Sequence, residues 1–233
     1  MKTRILAALA ATGLALGAPA QAQAPKISND TIKIGFITDG SSVYADIDGP
    51  AGAGAIRMAN ADAGGPINGK KIELLYADHQ NKPDVASARA REWFDQQGVD
   101  MLIGGTNSAA GLAMAKIATE KKKPYIVIGA GSSRLTNEDC SPYIVHYAYD
   151  TVALARGTGS AVVAQGGKSW YFLTADYAFG HSLEADTSTV VKANGGQVLG
   201  AIRAPLAWSD LSSFLLQAQS SKAQGLGLGG AGG

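Results

Sequence analysis

Residues 101–128 read MLIGGTNSAAGLAMAKIATEKKKPYIVI, and their pattern decides the architecture. Met101-Leu102-Ile103 is a short apolar run stopped by Gly104-Gly105, which reads as a buried strand. Ala109 to Lys121 reads as a helix, with Asn107 or Ser108 placed to cap its start and Lys121-Lys122-Lys123 at its end, where cations complement the helix dipole. Tyr125 to Ile128 is the next apolar run. Two strands joined through a helix lie parallel, because a hairpin turn cannot accommodate the crossover.

The same unit extends in both directions. Upstream, Thr31 to Ile37 reads as a strand and Pro50 to Ala61 as a helix ended by Gly64-Gly65-Pro66; Lys71 to Ala77 is a strand and Val85 to Gln97 a helix closed by Gly98. This β-α-β-α-β-α-β order predicts a parallel sheet with helices on both faces. Downstream, Ile144 to Tyr147 is a short apolar segment, followed by a helix from Thr151 to Gln165 that stops at Gly166-Gly167. Strands at Ser169 to Thr174 and Gln197 to Ile202 then alternate with helices at Gly180 to Asn194 and Asp210 to Gln219. The prediction is two Rossmann-like α/β lobes with parallel sheets, the first over 31–147 and the second over 148–224. The second is short for a doubly wound sheet, since each βαβ unit takes about 30 residues. Residues 225–233, GLGLGGAGG, stand where another buried strand is due, yet glycine is poor in strands. They are expected to be an aberrant glycine-rich tail on an incomplete lobe.

At the other end, Lys2 and Arg4, the apolar run Ile5 to Leu16 and the small-residue site Ala20-Gln21-Ala22 predict a secretory signal peptide over 1–22. The run is shorter than the ~20 residues that span a bilayer as a helix. The mature chain is therefore expected to be exported and unanchored, in the periplasm. Its single cysteine, Cys140, cannot form an intrachain disulfide, and its acidic neighbours Glu138 and Asp139 do not favour a thiolate. With 46% hydrophobic and 17% charged residues the composition is globular, and 20 basic against 19 acidic side chains argue against nucleic-acid binding.

Ligands of open parallel sheets bind beyond the carboxyl ends of the strands, which selects five loops. They are Thr38 to Asp46 with Tyr44, Asp78 to Asn81, Gly104 to Ala109, Gly129 to Ser133, and Ala175 to Gly180 with Tyr177 and Phe179. In the third, a ligand carboxylate is expected to accept from Ser108 and the amides that follow, Ala109 first, with Asn107 beside them. Charge-assisted hydrogen bonds contribute roughly 1.5–3 kcal/mol each, so three or four approach the about −8 kcal/mol of micromolar binding. Enzyme and cofactor readings find less support. Gly105 to Ala109 lacks the glycines of a nucleophile elbow, and Gly129-Ala130-Gly131-Ser132-Ser133-Arg134 imitates a dinucleotide loop but ends in arginine and leads to Pro142. His79, His146 and His181 share no metal-ligand spacing, so neither metal nor cofactor is expected.

Several separate blocks carry a resemblance. Val43-Tyr44-Ala45-Asp46, Asn68 to Glu73, Tyr76 to Asp84, Gly129 to Ser133, Ala175 to Gly180 and Phe214 to Lys222 resemble periplasmic substrate-binding proteins of the branched-chain amino acid ABC transporter group, over about Ile32 to Gln224. The resemblance implies the type I periplasmic-binding-protein fold, two lobes that close on a small amino acid or related carboxylate, delivery to a membrane permease, and a monomer. It places the carboxylate on Ser108, backbone and hydroxyl contacts on Ala130, Gly131 and Ser132, and an aromatic contact on Phe179 with Tyr177 beside it. Asp150, at the first crossing, and Asp176 are polar candidates by position. The sequence is expected to depart from this pattern after Gln224, as a C-terminally truncated copy in which the next strand, the rest of the second lobe with its two return crossings, and the acidic group for the ligand ammonium are missing. Two alternatives stand beside this reading: an exported ligand-sensing module, and a serine hydrolase using Ser108.

Overall fold

The computed structural model describes residues 30–206 and 210–231, so the signal peptide expected over 1–22 lies outside the described residues. Five strands, β1 (Thr31–Thr38), β2 (Lys71–Asp78), β3 (Met101–Gly104), β4 (Tyr125–Val127) and β5 (Ile144–His146), form one sheet in the order β2-β1-β3-β4-β5. Every neighbouring pair is parallel, as the alternation with helices requires. Helices α1 (Ala45–Asp62), α2 (Pro83–Gln96) and α3 (Ser108–Lys121) make the crossovers. Ala86, Ala90, Trp93 and Phe94 of α2 and Met114, Ala115 and Ala118 of α3 share one buried cluster with Leu102, Tyr125 and Val127 of the sheet. Ion pairs Arg91–Glu120 at 2.7 Å and Lys121–Asp95 at 2.5 Å tie the outer sides of these two helices.

The expected helix at Pro50 has one more turn ahead of it. Ala45 to Asp48 coil first, Gly49 breaks the helical geometry with ψ −120°, and Pro50 resumes it. A residue preceding proline is driven out of the α region, which accounts for the break.

The second sheet contains β6 (Ser169–Ala175), β7 (Gln197–Ala204) and β8 (Gly225–Gly229), all parallel in the order β7-β6-β8. It is reached through a helical run in which α4 (Thr151–Leu154) and α5 (Ser160–Ala164) flank a π-helical Ala155–Gly159. Helices α6 (Ala178–Ala193) and α7 (Ser212–Ser220) complete the described part. Val163, Trp170, Phe172 and Val191 form its core.

The glycine-rich tail must be corrected. Gly225–Gly229 is a strand, paired with β6 from Trp170↔Gly225 to Thr174↔Gly229. Glycine propensity gave the wrong answer because rings of the neighbouring strand fill the space that side chains would take: a Cβ on Gly227 would collide with the Phe172 ring. Among the described residues no helix is long and apolar enough to cross a membrane.

Candidate functional site

The carboxyl ends of both sheets converge on one cavity of about 160 Å³. Tyr44 and Ile47 enter it after β1, Thr106 and Ser108 after β3, and Ile128, Gly129 and Gly131 after β4. The crossing contributes Tyr149, the loop after β6 Tyr177 and Phe179, and the segment following β8 Ala231. A parallel sheet delivers all its carboxyl ends to the same edge, so residues far apart in sequence meet here.

Rings build one wall. Tyr149 stands edge-on to Phe179 at 6.3 Å and 87°, Tyr177 lies 6.1 Å from Phe179, and Tyr44 lies 6.5 Å from Tyr177. Gly131 lets this wall close, since a Cβ there would stand 2.8 Å from Tyr149 and 2.9 Å from Phe179. Tyr44 is held from behind by the fully buried Asp39, whose carboxylate accepts from the amides of Ser42 at 2.9 Å and Tyr44 at 3.0 Å. Burial raises the Tyr44 phenol above its ordinary range, and burial with the Tyr44 hydrogen bond raises Tyr177 well above it, so both remain donors. Here both hydroxyls point to one acceptor, the Ala231 carbonyl, at 3.0 Å from Tyr44 and 3.5 Å from Tyr177.

Ser108 is 1% exposed and accepts the Ser132 amide at 3.2 Å. No acceptor for its own hydroxyl proton is found among the described residues, which leaves that proton for whatever enters the cavity. The two amides expected to help it are already engaged: Asn107 Oδ1 accepts from Ala109 at 2.7 Å and Ala110 at 3.1 Å. Asn107 is thus the cap of α3, buried, with its amide donating to Asn81 at 2.5 Å. Asn107 and Ala109 do not line the cavity.

The remaining candidates also separate. Tyr44, Ser108, Gly131, Tyr177 and Phe179 come together, whereas Ala130, Ser132, Asp150 and Asp176 stand outside the lining. The Ala130 carbonyl meets His146 Nε2 at 2.6 Å, and the Ser132 hydroxyl meets Ser182 at 2.7 Å. Asp150 caps α4 through the Ala153 amide at 2.7 Å, and Asp176 pairs with His181 at 2.7 Å. Thr106, Ile128 and Tyr149 were not singled out from sequence. Tyr149 had the usable signal, an aromatic at the crossing two residues before a predicted helix.

The hydrolase alternative lacks its base. His146 and His181 are engaged as described, and His79 Nδ1 accepts the Asn81 amide at 3.0 Å; none of the three is bonded to Ser108. Behind the first loop, burial pushes Asp78 upward, but hydrogen bonds from Ser41, Gly40 and Gln80 together outweigh it and hold the carboxyl below its ordinary range. Among the described residues no cluster of three potential metal ligands occurs. The chemistry on offer is hydrogen-bond donation beside aromatic and aliphatic surface.

Comparison with known proteins gives the same class. A family described as "Periplasmic binding protein" matches residues 31–233. The chain is 68% identical to a periplasmic binding protein from Burkholderia mallei, with a TM-score of 0.84 over 87% of this chain and 54% of that one. It is 36% identical to a branched-chain amino acid ABC transporter periplasmic ligand-binding protein from Burkholderia xenovorans, with a TM-score of 0.68 over 84% and 52% of the two chains. It is 31% identical to an ABC transporter solute-binding protein from Rhodopseudomonas palustris in complex with 3,4-dihydroxybenzoic acid, with a TM-score of 0.72 over 86% and 54%. The chain spans about half the length of each of these structures. The latter two are described as a periplasmic ligand-binding protein and a solute-binding protein.

Proposed function

The chain belongs to the periplasmic binding protein family, and from that premise we propose that it is an extracytoplasmic solute receptor of an ABC importer. It takes a small amino acid or a related aromatic or aliphatic carboxylate between two lobes and hands it, as a monomer in the periplasm, to a membrane permease. The observation that carries this reading is the cavity at the joined carboxyl ends of the two sheets, with the Ser108 hydroxyl on one side and aromatic rings on the other. Its about 160 Å³ matches one ring or one branched aliphatic side chain, since cavities of about 150 Å³ admit benzene. The carboxylate accepts from Ser108, and a ligand oxygen displaces the Ala231 carbonyl as acceptor for Tyr44 and Tyr177. The relatives that bind a dihydroxybenzoic acid or serve branched-chain amino acid transport support this ligand class.

Isothermal titration of the chain with L-leucine, benzoate and 4-hydroxybenzoate tests it. Saturable heat is expected from at least one, with affinity falling roughly tenfold or more in Ser108→Ala, the loss of one charge-assisted hydrogen bond. Heat from none of the three acids, or equal affinity in the variant, overturns the assignment.

A further inference from the structure

The hydroxyl of Ser132 does not face the cavity, and what it does instead points to a second function of the β4 loop. Ser132 Oγ lies 2.7 Å from Ser182 Oγ on α6 of the second lobe, and both residues are buried. One residue further on, the Ser133 amide donates to Thr151 Oγ1 at 3.0 Å, and that hydroxyl donates to Asp186 Oδ2 at 2.6 Å, again on α6. The Thr151 amide returns to the Gly131 carbonyl at 2.8 Å. Phe179, Ser182 and Asp186 fall at helical positions i, i+3 and i+7, so one face of α6 meets three consecutive residues of the first lobe, directly or through Thr151.

We propose that Ser182 and Asp186 are positioning residues for lobe closure: Ser182 bridges directly to Ser132, and Asp186 fixes the Thr151 hydroxyl that accepts the Ser133 amide, so that the two links act as a clasp holding α6, and with it Phe179, against the first lobe. The clasp adjoins the ligand donor, because the amide of Ser132 is the group that donates to Ser108 Oγ. Neither Ser182 nor Asp186 lines the cavity, so their effect is on the open–closed balance and not on ligand contact. The links differ in kind. Ser132–Ser182 joins two neutral hydroxyls across the lobes, whereas Asp186 acts indirectly, its carboxylate holding the Thr151 hydroxyl that receives the Ser133 amide. The purpose of the clasp rests on the receptor reading, but its test needs no ligand.

The native Cys140 is exposed in the first lobe, and Lys192 is exposed near the end of α6. Spin labels on Cys140 and on Lys192→Cys report the distance between lobes by double electron–electron resonance. The labelled parent is expected to give one narrow distance. Ser182→Ala is expected to raise the open fraction relative to the closed one roughly fivefold, and Asp186→Ala, which acts through Thr151, by a smaller factor of about two to five. Asp186→Asn keeps a side-chain carbonyl acceptor for Thr151 and is expected to restore most of the parental distribution, which a merely bulk-structural role would not produce. If the alanine variants unfold, amide hydrogen exchange in the folded Asp186→Asn protein is the second measurement. Ser133 and Thr151 are expected to keep near-parental protection in it. An unchanged narrow distance in both alanine variants, a parent that is already broad, or loss of Ser133 and Thr151 protection in Asp186→Asn overturns the clasp.

Discussion

The two sheets of this chain are built by the same connection rule and finished differently. In the first, Ile37, Leu102, Tyr125, Val127 and Met114 are fully buried, and α2 and α3 cover one face side by side. In the second, the edge strand β8 is backbone-paired to β6, but Leu226 and Leu228 are 41% and 67% exposed. Cavities of about 340 and 350 Å³ adjoin it, lined by Trp170, Phe172 and Leu183 in one case and by Leu173, Leu211 and Leu215 in the other. β8 is held in register by its ladder to β6 and by the Trp170 and Phe172 rings beside its glycines, while its leucines add little apolar burial, which contributes about 25 cal/mol per Å². Both parts build the site: the first carries the larger buried cluster and supplies Tyr44, Ser108 and Gly131, and the second supplies Tyr177 and Phe179 of the ring wall.

That contrast can be broken at its strongest point. Leu102→Ala, in the first core, is expected to destabilise by about 2–5 kcal/mol in urea unfolding, while Leu228→Ala is expected to change stability by no more than about 0.5 kcal/mol. Equal losses at the two positions would mean that the second sheet is packed as well as the first. Gly227→Val sharpens the account of β8. The added side chain meets the Phe172 ring, with an expected cost of about 1–3 kcal/mol and loss of amide protection along β6 and β8. Retained protection would show that the ring can step aside.

A smaller effect is expected at the cap of α3. Asn107→Ala frees the amides of Ala109 and Ala110, at a cost of about 1 kcal/mol read as a lower Tm in a thermal melt. An unchanged Tm would return those amides to the ligand.

The smallest effect is on pH dependence, and it belongs to the first lobe alone. Burial lowers the pKa of His79, with the nearby Asp39, Asp78 and Asp48 opposing that shift. Its imidazole is neutral when folded, so between the unfolded value of 6.5 and the lowered folded value the unfolded chain binds more protons. Stability from this group is present above pH 6.5 and is lost as pH falls through that window. Unfolding free energy measured from pH 7.5 to 5 should decline toward acid, with a shallower slope in His79→Gln; identical slopes would refute the assignment.

Much of this was legible along the chain. The strands β1 to β7 and the helices joining them follow from short apolar runs, glycine stops and proline positions, all local signals. The candidate site was legible in part: Ser108, Tyr44, Tyr177, Gly131 and Phe179 lie in loops that any parallel sheet sends to one edge, and all five line the cavity there. Asn107 and Ser132 look like ligand groups from sequence because a side-chain oxygen beside a helix start serves a cap or a ligand equally well. Only their partners, Ala109 and Ala110 for one and Ser182 for the other, separate the two roles.

By itself the order of apolar runs and breakers determined a parallel α/β chain with its loops at one edge, since strand and helix periodicities act over a few residues. Tertiary structure alone decided that Gly225–Gly229 is a strand, that Tyr149 and Thr106 join the cavity, and that the Ser132 hydroxyl faces another helix. Those outcomes depend on space filled and hydrogen bonds completed by residues distant in sequence, and no local pattern records them.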